Sequence, residues 1–286
     1  MKRYRDIAGD GGSNIVGQVE AQQARLTARL RDVRAIVAVV SGKGGVGKSS
    51  VTANLAAACA HAGDRVGVLD ADLNGPTMAK MLGVRGAARV VGAGGVTPPA
   101  SALGIRVMSM DLLLADDATP LAWQAPTQAE AHTWRGSMEA NALREFLADT
   151  EWGVLDLLLV DLPPGTDRLA TVTGLLPALA GMVVVTIPSD VSSLVVRRSI
   201  TAARQVAAPV LGVIENMAGL FPGAGGEALA KESGVPFLGR VPFDPELAAA
   251  ADRGEPYVTA APDAPAARAL AAIAARLRDT LAAERS

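Results

Sequence analysis

Six short runs along the chain are apolar at consecutive positions: AIVAVVS (35–41), RVGVLDA (65–71), GIRVMSM (104–110), LDLLLVD (155–161), GMVVVTI (181–187) and PVLGVIEN (209–216). Strands covered on both faces read this way, because a half-exposed strand would alternate. Between them, stretches at roughly 48–62, 138–149, 168–179, 190–206 and 226–233 have helical spacing and are rich in Ala. A last helix over 264–284 sets Leu270, Ile273, Leu277 and Leu281 on one face. This alternation predicts an α/β fold, a mostly parallel sheet with helices on both faces. Neither an internal repeat nor a linker divides it, so residues 34–286 read as a single domain. Residues 1–33 read as a polar arm with a helix at 18–32, either disordered, regulatory or packed on a partner. Two Gly-, Ala- and Pro-rich stretches, 85–101 and 115–136, read as loops, the second long enough to be a functional or mobile insertion.

Half of the 286 residues are apolar, enough for a sizeable core. A net charge of −2 offers no general attraction to nucleic acid. The longest apolar runs fall far short of the ~20 residues of a membrane span, and the N-terminus lacks the apolar region of a signal peptide. With one cysteine, Cys59, the chain forms no internal disulfide, which fits a cytoplasmic setting.

Chemistry concentrates in SGKGGVGKSS, residues 41–50. The pattern G-x-x-x-x-G-K-[ST] lies between a strand and a helix, where backbone N–H groups ring phosphate at a helix N-terminus. Gly42, Lys43, Gly44, Gly45, Val46, Gly47, Lys48, Ser49 and Ser50 are therefore candidate nucleotide contacts. Lys48 would neutralise the β and γ oxygens of ATP, and the Ser49 hydroxyl would take one Mg²⁺ position. Asp70 and Asp72 end the second strand, and Asp161 ends LLLVD, at the edge where open α/β sheets bind ligands. Carboxylates there can hold Mg²⁺ through water or orient an attacking water.

The second lysine narrows the class. K-G-G-x-G-K-[ST] resembles the deviant Walker motif of the MinD/ParA/Mrp group of P-loop ATPases, of the SIMIBI type. That resemblance implies a homodimer in which Lys43 crosses to the partner's nucleotide. A cation supplied in trans would stabilise the transferring phosphoryl group as an arginine finger does. It also implies that Asp72 positions water and that Asp161 is the Walker B acid. Pro163, Pro164, Gly165 and Thr166 would form the γ-phosphate switch. Asn216 would contact adenine, and Pro242 would pack beside the base.

DADLNGPTMAKMLG, WGVLDLLLVDLPPGT, GMVVVTIPSDVSSLVVRRSI, IENMAG and GVPFLGRVPFDPEL together are similar to the Mrp/ApbC branch. That branch implies ATP-dependent carriers or scaffolds for iron–sulfur clusters, with a Cys-x-x-Cys shortly after E-N-M. Such clusters usually take four thiolates, yet ENMAGLFPGAGGEALAKESG has no cysteine. Cys59 lies eleven residues after Lys48, roughly 16 Å along a helix, and reads as a small core residue. His61 and His132 lack metal-ligand spacing. No standard cluster site is encoded.

Two further departures concern geometry. Asp167 and Arg168 follow Thr166 where the branch reads Gly-Asp, and W-R-G-P appears as Trp134-Arg135-Gly136-Ser137 after an apparent insertion. The segment from Trp123 to Trp134 is either a client-docking loop or a decorated surface. The expected function is Mg²⁺-dependent ATP hydrolysis by a dimer, in iron–sulfur assembly or a derived role with another cargo. The alternative is a ParA- or MinD-like positioning ATPase, which needs a basic patch or a membrane-binding helix. Arg268, Arg276 and Arg278 lie on the last helix, but its Ala/Leu stripe favours packing on the sheet.

Overall fold

All six apolar runs are strands: β1 (Ile36–Ser41), β2 (Val66–Asp70), β5 (Arg106–Met108), β6 (Leu157–Asp161), β7 (Leu179–Thr186) and β8 (Val210–Ala218), numbered in chain order. The computed structural model describes residues 15–88, 90–92, 94–113, 128–165, 169–176, 179–221 and 225–283. A seventh strand, β9 (Phe237–Pro242), completes one sheet in the order β5-β2-β6-β1-β7-β8-β9. Each pairing in it is parallel. Every residue of β1, β2 and β6 is buried, so both faces of the central sheet are covered.

Parallel strands need crossovers, and helices supply them. The described helices are α1 (Ile15–Leu30), α2 (Lys48–His61), α3 (Met78–Met81), α4 (Gln128–Asp149), α5 (Leu169–Leu175), α6 (Asp190–Gln205), α7 (Gly225–Glu232), α8 (Pro245–Arg253), α9 (Tyr257–Ala260) and α10 (Pro265–Ala283). The chain steps from β1 to β2 on one side and reaches β7 on the other, so the winding reverses at β1. This reversal sets the carboxyl ends of β1, β2 and β6 side by side, with Asp161 in register with both Val39 and Asp70. Open α/β sheets bind ligands at such a point.

Four differences from the sequence expectation have identifiable causes. The 85–101 stretch contains an antiparallel hairpin, β3 (Val90–Gly92) with β4 (Gly95–Thr97), each strand too short to show periodicity. β9 has Gly239 and exposed Arg240 inside its run and lies at the sheet edge, so no continuous apolar signal marks it. α4 begins at Gln128, so the last part of the expected 115–136 loop is helical. α8 carries a start signal that periodicity alone overlooks. Pro245 sits in its first turn and Asp244 caps it, the carboxylate accepting from the Glu246 amide at 3.1 Å. Trp123 and the rest of the insertion up to residue 127 lie outside the described residues.

The helix expected at 18–32 is α1, and it is part of the body. Leu26 and Leu30 are buried in the core, and Arg29 donates its Nε to the Ala148 carbonyl of α4 at 3.0 Å. The last helix, α10, buries Leu270, Ile273, Leu277 and Leu281 against its neighbours, so its apolar stripe is a packing face. Among the described residues, no helix is long and apolar enough to cross a membrane. Truncating Leu26 to Ala should cost about 2–5 kcal/mol, as large core deletions do. Urea unfolding reads this directly, and an unchanged midpoint would place α1 outside the cooperative unit.

Candidate nucleotide site

β1 delivers the chain to the sheet edge at Ser41, whose Oγ donates to the Lys43 carbonyl at 3.0 Å and tightens the turn. The loop then swings back into α2 through Gly45 and Gly47, with φ of 78° and 76°. Gly47 is doubly constrained. Its φ is left-handed, and a Cβ there would fall 2.3 Å from Asn216 Nδ2. It also caps α2 without a side-chain bond, so the first helical N–H groups stay open to an anion. Lys43, Gly44, Gly45, Val46, Gly47, Lys48, Ser49 and Ser50 line a cavity of about 370 Å³ together with Asp72 and Pro164. Gly42 does not line it; it lies against Val195 of α6, where an added Cβ would meet Cγ1 at 2.2 Å.

One buried carboxylate ties this mouth together. Asp161, 0% exposed, accepts from Lys48 Nζ and Ser49 Oγ, both at 2.6 Å, on Oδ2. Its Oδ1 accepts from Thr52 Oγ1 at 2.7 Å. Thr52 was not foreseen, although its place four residues after Lys48 puts it one helical turn along the same face. A hydroxyl and a carboxylate this close form a hard oxygen donor set that suits Mg²⁺. Ser50 Oγ is buried with no hydrogen-bond partner, an orphan hydroxyl at the cavity wall that suits a phosphate oxygen.

The two aspartates of the second strand part company. Asp72 lines the cavity and accepts from the Gly75 amide at 3.1 Å. Asp70 turns inward instead, 1% exposed, and accepts from the amides of Thr77 at 2.8 Å and Met78 at 3.0 Å and from Ser109 Oγ at 3.1 Å. Burial, then the nearby Asp161, push its pKa up to about 7 against the pull of those amides and of Lys48. Lys43 is half-buried at the cavity, and among the described residues no carboxylate pairs with its ammonium. Pro163 and Pro164 follow Asp161, and the Gly165 amide donates to the Ser41 carbonyl at 2.9 Å. Thr166, Asp167 and Arg168 lie outside the described residues.

A second cavity, about 400 Å³, adjoins the first, and Gly47, Ser50 and Met81 line both. Asn216, Met217, Pro242, Phe243 and Leu247 form its other walls, so the two residues matched to the base lie together. Asn216 donates Nδ2 to the Val46 carbonyl at 2.9 Å, so its amide oxygen is the atom with acceptor capacity. The apolar wall from Met81, Phe243 and Leu247 was not foreseen; Phe243, an exposed aromatic in VPFD, was the available signal.

The remaining candidates lie elsewhere. Cys59 is fully buried in α2, and desolvation, with Asp64 adding to it, pushes the thiol up to about 12. His61 at the far end of α2 pairs with Thr259 Oγ1 at 2.9 Å. A hollow there, about 470 Å³, is lined largely by alanines. His132 lies on α4, with its side chain outside the described residues. No group of three His, Cys, Asp or Glu able to hold a metal ion occurs among the described residues.

A glycine loop opening a helix, with a lysine and a hydroxyl converging on a strand-end acid, defines a P-loop nucleotide-binding protein. Residues 32–278 match the family model described as ParA, the NUBPL iron-transfer P-loop NTPase, and the chain belongs to that family. It is 41% identical over 263 residues to an iron–sulfur cluster carrier protein of Saccharolobus solfataricus, covering 88% of this chain and 85% of the other. Over 264 residues it is 42% identical to the cytosolic Fe-S cluster assembly factor NUBP2 of Bos taurus, covering 87% and 93%. A nucleotide-binding protein from Archaeoglobus fulgidus, solved in complex with ADP, superposes with a TM-score of 0.69 at 35% identity, covering 82% and 92%. The cell division ATPase MinD of Pyrococcus furiosus shares the fold, with a TM-score of 0.64 at 22% identity over 86% and 99%.

The buried, high-pKa thiol has a chemical consequence, since thiolate is the reactive form. Native protein should leave Cys59 unlabelled by a thiol reagent at pH 8, and guanidinium should release one reactive thiol per chain. Rapid labelling of folded protein would contradict its placement.

Proposed function

We propose that this chain is a Mg²⁺-dependent ATPase that works as a homodimer. The observation that carries the reading is the convergence of Lys48, Ser49 and Asp161 beneath a loop that bears a second lysine, Lys43, with no carboxylate partner among the described residues. The amides of residues 44–48 and Lys48 would hold the β and γ phosphates. Mg²⁺, when bound, would be held by Ser49 and Asp161 and would supply charge neutralisation at those phosphates. Asp72 would orient the water that attacks the γ-phosphorus, with ADP leaving along the same line. Lys43 from a second copy would stabilise charge on the transferring phosphoryl group, so turnover would need the dimer. Asn216 Oδ1, its amide locked onto Val46, would accept from the exocyclic amino group of adenine, and Pro242 would pack beside the base. Guanine would set its own carbonyl against that acceptor.

The cargo is a separate matter. Two of the relatives named above are an iron–sulfur cluster carrier protein and a cytosolic Fe-S cluster assembly factor, which supports a role in iron–sulfur assembly at the level of family. Its own donor set does not fit a resident cluster, because its one thiol is buried and uncharged. We therefore read the ATP cycle as serving an iron–sulfur client that brings its own ligands, or a different cargo, in a cytoplasmic setting. Residues 34–286 would carry the ATPase, with the arm docked through α1. The segment around 115–136 would contact the client.

Lys48→Ala should reduce ATP turnover by about 100-fold or more, the scale of losing a charge-stabilising group. Lys43→Ala should lose hydrolysis to a similar degree while ATP affinity, by calorimetry, stays within about threefold, the mark of a group that acts in the transition state. Unchanged hydrolysis in Lys43→Ala would reject the role in trans. Anaerobic reconstitution with iron and sulfide should leave no stoichiometric cluster on the purified protein. A cluster near one per dimer would require ligands other than a cysteine pair.

A further inference from the structure

Asp72 can orient water only if the loop that carries it is held still, and among the described residues its own carboxylate bonds within that loop, to the Gly75 amide. The holding is done by two other carboxylates, both buried. Asp70 stands at the root of the loop, 1% exposed, and Glu139 reaches in from α4, 4% exposed. Isolated buried carboxylates are costly, so each needs donors. The loop supplies several. Asp70 Oδ1 accepts from the Asp72 amide at 3.2 Å, and Oδ2 accepts from the Thr77 and Met78 amides where the loop enters α3. Glu139 Oε1 accepts from Asn74 Nδ2 at 3.1 Å at the tip. The loop is thus anchored at its root, tip and exit, and Asp72 lies between the anchors.

We propose that Asp70 and Glu139 are positioning residues that fix the 71–77 loop, and so aim Asp72 at the phosphate cavity. The proposal rests on the reading of Asp72 as the residue that orients water. It also makes α4 a lever on the site, because Glu139 is two residues beyond the Trp134–Ser137 segment on the same helix.

The chemistry supplies discriminating variants. Three donors converge on Oδ2 of Asp70, counting Ser109 Oγ at 3.1 Å, so in Asp70→Asn the single amide oxygen must face them. The new NH₂ group then meets the Asp72 N–H, donor against donor, while the bonds to Thr77 and Met78 survive. In Glu139→Gln an amide oxygen can still accept from Asn74; in Glu139→Leu nothing can. Full-length protein is assayed for kcat and KM, for affinity toward a non-hydrolysable ATP analogue, and for hydrogen exchange across residues 71–78. Asp70→Asn and Glu139→Leu should each lower kcat by about 10- to 100-fold, the scale of a small misplacement of a reacting group. Analogue affinity should stay within about threefold, exchange in the loop should quicken, and Glu139→Gln should recover most of the rate.

Unchanged kcat in Asp70→Asn would overturn the proposal. So would equal losses of kcat and affinity, or Glu139→Gln as impaired as Glu139→Leu. If Asp70→Asn does not fold, the Glu139 pair decides. If the wild-type protein hydrolyses no ATP, the ATPase reading fails by itself, and exchange then decides the positioning: faster exchange in the variants keeps it, unchanged exchange ends it.

Discussion

The Lys48–Asp161 ion pair is the contact on which the rest of the site depends. Both groups are almost wholly removed from water, at 6% and 0% exposure. Such a pair stays stable only when the remaining lone pairs are also satisfied. The hydroxyls of Ser49 and Thr52 do this, so three residues from the first turns of α2 converge on one strand-end acid. The bond joins the helix that follows β1 to the strand beside β1, and thereby sets the direction of the helix N-terminus. An arriving triphosphate offers Lys48 a second anion at the same mouth, so nucleotide binding and the geometry of Asp161 are coupled.

From that anchor the site extends in one direction. Gly47 ends the phosphate loop and also touches Asn216, which is bonded back to Val46. Met217 beside it holds a left-handed backbone with φ of 57°, a conformation rarely adopted by a residue with a long side chain. Strain of this kind gathers where a surrounding structure over-determines the backbone. Here it lies on the wall of the second cavity, beside the segment in which the Mrp/ApbC resemblance implies a thiol pair. In this chain that segment shows exposed Leu220 and Phe221 instead. The phosphate loop, its lysine and the strand-end acid are therefore in place, while the stretch ENMAGLFPGAGGEALAKESG has no cysteine.

How much of this was legible beforehand depended on range. Six strands were readable because fully covered strands need consecutive apolar residues, and the phosphate loop because its glycines and lysine must sit at fixed spacing. β9 was missed because an edge strand keeps one exposed Arg and a Gly. The start of α4 was missed because Gln, His and Trp resembled loop composition. Thr52 and Asp161 are 109 residues apart, and no local pattern says they meet.

The sequence by itself determined the class of chemistry: a loop for phosphate, a strand-end acid, a second lysine and the lack of a cysteine pair. These are matters of residue type and short spacing, which the chain carries wherever it folds. Tertiary structure alone decided that Asp70 turns inward while Asp72 faces the cavity, two residues apart on one strand end. It also decided that Glu139 reaches the Asp72 loop, that α1 belongs to the body, and that Cys59 is sealed in the core. The physical reason is burial. Whether a carboxylate or thiol is charged, paired or available depends on which distant segments exclude water from it, and that is settled only when the sheet closes around its helices.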